Sequence, residues 1–125
     1  MSRFLPSVLL LTAAISAWPV AANEIEAAAT ELCHKVKACS MAHIAEADLT
    51  PEVRQMMEPM LQNMCETMRA GVREVPTDHA LYKPSVECMR SMAGLSCADF
   101  ENEEKLHTPA CAEYRRLAEE MASDD

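Results

Sequence analysis

CHKVKACSMAHIAEADLTPEVRQMMEPMLQNMC, residues 33–65, begins and ends on cysteine and carries a turn signal at its middle. Thr50 is placed to cap free backbone amides, Pro51 suits the first helical position, and Glu52 sits at the positive end of the helix that follows. Upstream, the chain from Asn23 to about Ala47 lacks Gly and Pro and is rich in Ala, Glu and Lys, all good helix formers. Ile25, Ala29, Leu32, Val36, Cys39 and His43 recur at steps of three and four and predict the buried face of a first helix. His34, Lys37 and Met41 fall on its opposite side. A turn near Asp48 makes the two helices antiparallel, so residues equally far before and after it lie side by side, and Cys33 is level with Cys65.

The second helix is expected to place Val53, Met57, Met60, Leu61, Met64 and Met68 on its apolar side and to stop at Gly71. Pro59 lies inside it and predicts a kink over 55–59, or a restart of the helix there. Residues 72–83, with Pro76, Thr77 and Asp78, read as a connector. Residues 84–93 read as a short third helix closed by Gly94. From Cys97 a loop or single turn follows, whose run Glu101-Asn102-Glu103-Glu104 reads as solvated acidic surface. Thr108-Pro109 repeats the start signal and opens a fourth helix with Cys111, Tyr114, Ala118 and Met121 inward. No stretch alternates in the manner of a strand, and two glycines leave little material for hairpin turns. The expected fold is all-α, a small disulfide-stapled bundle of about four helices.

Ahead of this domain, residues 1–22 carry one cation, Arg3, and an apolar run from Val8 to Ile15. That run is too short to span a bilayer, and Pro19 breaks it before Val20 and Ala22, which stand where a signal peptidase requires small residues. Cleavage between Ala22 and Asn23 is expected, leaving residues 23–125 as a single domain that is periplasmic or secreted, without stable membrane insertion. The first cysteine is Cys33, so no lipid-attachment cysteine stands at the cleavage point. The formal net charge is −9, and loss of Arg3 deepens it. Such a domain repels phosphate backbones, which excludes nucleic acid as a partner and disfavours anionic membrane surfaces.

After Ala22 the only aromatics are Tyr82, Phe100 and Tyr114, so the core must be built from Met, Leu, Val, Ala and cystine. A core of that size calls for cross-links. Cys33, Cys39, Cys65, Cys88, Cys97 and Cys111 are even in number and lack any Cys-x-x-Cys spacing, which favours three structural bridges over a thiolate metal site or a redox motif. Residues six apart on a helix diverge by roughly 120°, so Cys33 and Cys39 must reach different elements. The expected connectivity is Cys33–Cys65, Cys39–Cys88 and Cys97–Cys111; the alternative joins Cys39 to Cys111 and Cys88 to Cys97.

Met56, Met60, Met64 and Met68 recur at every fourth position, with Met57 beside them. A methionine stripe ordinarily fills irregular core space or re-packs around varied apolar partners. Met57, Met60, Met64 and Met68 are therefore the candidate binding face for another protein or an apolar small molecule. The alternative is Cu(I), a soft ion suited to the thioethers of Met56, Met60, Met64 and Met68. His43 and Glu46 lie one turn apart, but two ligands do not make a metal site, and His43 is expected to be a partly buried or helix-end residue favoured by the C-terminal dipole. His34, His79 and His107 are expected in solvent. No nucleophile elbow, zinc-binding helix motif or phosphate-binding glycine loop is present, and a non-catalytic role with no resident cofactor is expected. The exported polypeptide should begin at Asn23 and weigh six hydrogens less than its fully reduced form; intact mass before and after reduction and alkylation checks both, and free thiols would undo the three-bridge assignment.

Overall fold

The computed structural model describes residues 24–46 and 50–125, so the signal-peptide assignment for 1–22, its cleavage junction at Asn23 and the turn at Asp48 lie outside the described residues. The described chain is helical, without strands: α1 Glu24–Glu46, α2 Pro51–Arg73, α3 Tyr82–Ala93, the single turns α4 Cys97–Phe100 and α5 Glu103–Leu106, and α6 Pro109–Ser123. None of these helices is long and apolar enough to cross a membrane.

Both Thr-Pro starts form as their chemistry requires. Thr50 accepts a hydrogen bond from the Val53 amide at 3.4 Å, and Thr108 accepts one from the Cys111 amide at 3.2 Å. Ser96 and Asn102 cap α4 and α5 with their side chains, so the stretch expected to begin as a loop or single turn forms two single turns. α2 runs unbroken through Pro59 and past Gly71 to Arg73. Gly71 does not end it, because Val72 and Val75 beyond are packed against the core. α3 starts two residues before Pro84, and Gly94 closes it as expected.

The core lies where α1 crosses α3. Ile25, Ala28, Ala29 and Leu32 of α1 meet Tyr82, Val86 and Met89 of α3, with Met68, Val72, Val75, Met92, Ala93 and Phe100 around them. Ala28 and Ala29 are fully buried; their small side chains let the two backbones approach. The Tyr82 hydroxyl accepts the Ile25 amide at 3.2 Å, satisfying one of the donors that a helix N-terminus leaves without an internal partner. α2 lies along α1, and α6 along α3. Arg73 of α2 donates to Glu26 of α1 and holds its carboxyl below the ordinary carboxylate value, chiefly through that hydrogen bond. This contribution to stability is present above the ordinary value and fades as pH falls through the lowered one; the pair is exposed, and solvent screening keeps it small.

Cys33–Cys65 joins α1 to α2, in agreement with the level-pairing argument. The other two bridges differ from both expected sets: Cys39 pairs with Cys97 and Cys88 with Cys111. Cys39–Cys88, Cys97–Cys111, Cys39–Cys111 and Cys88–Cys97 do not form. α3 lies against the N-terminal half of α1, which takes Cys88 away from Cys39, and Cys88 stands about 100° around α3 from core-facing Met89, on the side that meets α6. Beyond Gly94 the chain delivers α4 and Cys97 to the C-terminal half of α1. There this single turn and the N-terminal part of α2 flank α1, and His43, expected to be partly buried or a helix-end residue, stands exposed in the last turn of α1, 3.7 Å from Glu101, while Ile44 is buried. Met121 is likewise 40% exposed, because α6 is anchored through its first turns.

That anchor is a relay. Ser91 donates to the Cys88 carbonyl at 2.7 Å, leaving Thr108, 2.6 Å away, to donate to Ser91 while accepting the Cys111 amide. Thr108 is buried, so Thr108→Ala removes a cap and orphans a partner, and should lower stability by about 1–2 kcal/mol. Thr50→Ala, at an exposed cap, should cost about 0.5 kcal/mol. Urea denaturation of the two variants compares them; equal losses would mean the relay adds nothing to the cap.

Candidate functional site

α2 touches the bundle along one side only. Leu61 is its one buried residue, and Cys65 joins it in facing α1 through the Cys33 bridge. Successive helical residues advance about 100°, so each four-residue step turns the next side chain by roughly 40°. The methionine ladder therefore spirals out of the seam as it runs toward the N-terminus. Met68 is half-buried against the core, Met64 is 44% exposed, Met60 59% and Met56 72%. Met57 lies nearer to Leu61 around the helix and lines a groove with Val36, Ile44 and Phe100.

The four residues expected to form one binding face are thus divided. Met60 and Met64 are outside, whereas Met57 and Met68 are drawn toward the bundle. Of the alternative metal set, Met56, Met60 and Met64 share the exposed edge and Met68 is separated from them. Asn63, Thr67, Ala70 and Gly71 continue the same outward side and are all exposed. The Thr67 hydroxyl turns back onto the Asn63 backbone carbonyl at 2.9 Å, and the Asn63 side chain is the one amide on this side. The result is a charge-free strip from Met56 to Gly71, bordered by Glu52, Glu66 and Glu74.

Concavities among the described residues lie elsewhere, one of them an open hollow of about 530 Å³ over Glu26, Ala27, Thr30, Glu31 and His34. Ile25, Val72, Val75, Cys88, Met89 and Tyr114 line an apolar groove of about 290 Å³ that reaches the core. The groove containing Met57 measures about 400 Å³ and has His43 and Glu101 at its rim. A smaller recess, about 130 Å³, lies over the Cys33–Cys65 bridge and gathers Thr30, His34, Lys37, Gln62 and Arg69. Sequence reading missed this gathering of cations, because it depends on the register of α1 against α2; the signal was the i, i+4, i+7 spacing of Thr30, His34 and Lys37. Met56, Met60 and Met64 line none of these.

No protein-family model matches the chain, and no curated protein or solved structure is detectably similar to it. Its chemistry must be read from its own residues. Among the described residues, no three of His, Cys, Asp and Glu gather as metal ligands. All six cysteines are bridged. His79 and His107 are exposed, as expected, and each is held locally: His79 Nδ1 accepts the Leu81 amide at 3.1 Å, and His107 Nδ1 lies 2.7 Å from Arg115.

Exposed thioethers react with peroxide faster than packed ones. Under limiting hydrogen peroxide, peptide mapping should find sulfoxide at Met56, Met60 and Met64 before Met89, which is 9% exposed. Helical circular dichroism should persist at that stage; early oxidation of Met89 would contradict the division between edge and core.

Proposed function

We propose that this is a non-catalytic binding protein of the periplasm or cell exterior that docks another protein through the methionine edge of α2. Three disulfides in so small a chain fit an oxidising compartment. The carrying observation is the exposure of Met56, Met60 and Met64 on one uncharged strip, where none of them adds to the core. Methionine is flexible and polarizable, and such faces adapt to apolar partners.

The strip is the convex side of a helix, and small molecules need concave sites to bury most of their surface. A protein partner with an apolar groove fits better, taking α2 as the inserted helix. Glu52, Glu66 and Glu74 at the border favour basic residues on the rim of that groove. A photo-crosslinking residue substituted at Met60 in exporting cells should give one discrete adduct that the additional change Met64→Glu weakens. The same probe at His79 should give none. Equal labelling from both positions, or none from position 60, would reject the docking surface.

A further inference from the structure

We infer that the same exposed edge holds a single Cu(I) ion, with Met60 as the shared ligand of two alternative thioether pairs, Met56 with Met60 and Met60 with Met64. The inference rests on α2's outer edge being the binding surface and names a ligand for it.

Thioether sulfur is a soft donor that selects Cu(I), and it remains available where thiols are oxidised. In this chain every thiol is consumed in a bridge, so the described methionines are the free soft donors. The absence of a His, Cys, Asp and Glu cluster among the described residues leaves harder ions without a comparable site there. The exposed ligands also need no opening of the fold to be reached: Met56, Met60 and Met64 are 72%, 59% and 44% exposed. The acidic border formed by Glu52 and Glu66 adds a favourable field for a cation.

Helix geometry fixes the arrangement. Residues four apart have Cβ atoms about 5–6 Å apart on one face, close enough for two flexible side chains to converge on one ion. Met56 and Met64 are eight apart, a rise of about 12 Å, and do not form a pair without Met60. Met57 lies toward the groove with Val36, Ile44 and Phe100, and Met68 packs against the core, so neither stands on the exposed edge. The two overlapping pairs therefore compete for Met60, and one ion binds per chain. Two thioethers leave the ion accessible on its outer side, which suits exchange more than permanent storage.

The test is anaerobic titration of the disulfide-intact protein with Cu(I) against a colorimetric Cu(I) chelator, with ascorbate as reductant and a thiol assay confirming that the bridges survive. The wild-type protein should withdraw one equivalent from the chelator. Met56→Leu and Met64→Leu should each weaken binding by about twofold, since each leaves one pair intact, whereas Met60→Leu should weaken it by at least about tenfold. Because these residues are exposed, circular dichroism of the variants should match wild type. No withdrawal at micromolar protein, equal effects of the three substitutions, or retained binding in the triple Leu variant would overturn the site. A positive position-60 crosslink alongside such a result would overturn the copper site alone; absence of both would remove the edge as a binding surface.

Discussion

The Cys33–Cys65 bridge is the constraint on which the placement of α2 depends. Cys33 is 1% exposed, at the centre of α1, and its partner lies on a helix that offers one buried residue of its own, Leu61. A helix with so little burial is not held by apolar area: a leucine-sized side chain contributes about 1.5–3 kcal/mol on burial, against about 1–2 kcal/mol per residue of backbone entropy lost on ordering. The covalent link restricts the unfolded chain, and Met68, Val72 and Val75 then seat the C-terminal end of α2 against the α1–α3 core. One seam suffices, and among the described residues the outer edge carrying Met56 and Met60 is left exposed.

The remaining bridges follow the same logic at sites where the core thins. α1 is the hub, since two of the three disulfides begin on it, at Cys33 and Cys39, and diverge to α2 and α4. Cys39–Cys97 fastens a four-residue turn that lacks any buried side chain. Cys88–Cys111 fastens α6 to α3 beside the Ser91–Thr108 relay, so a polar contact and a covalent one secure the same helix start. Aliphatic bulk is scarce in this chain, and cystine occupies the positions where it would otherwise be required.

Local signals in the sequence were legible because they are decided within a few residues. Thr50-Pro51 and Thr108-Pro109 start helices at those positions, and the Cys33–Cys65 pairing follows from two helices close in sequence lying side by side. Gly94 was read correctly and Gly71 was not, for a physical reason: Val72 and Val75 have a core to reach, and packing overrides the mild helical penalty of glycine. The other bridges required knowing which half of α1 receives α3, information that no residue near Cys88 or Cys97 carries. The two readings of His43 part in the same way: its periodicity is that of the inner face, but it stands in the last turn of α1, where it is exposed.

The methionine face shows where periodicity stops being informative. A stripe drawn at steps of three and four tolerates a wide arc, and Met57, Met60, Met64 and Met68 all fit within it. A ladder at strict steps of four drifts by roughly 40° per rung, so it must leave any straight seam after two or three rungs. The graded exposure of Met64, Met60 and Met56 is that drift made visible. Had α2 been built to bury its methionines, the repeat would have alternated three and four, as it does through Met57, Leu61, Met64 and Met68. The additional strict-four ladder places sulfur in solvent over successive turns of a helix fixed by a bridge on its other side, and that separation lets the outer edge bind without disturbing the core.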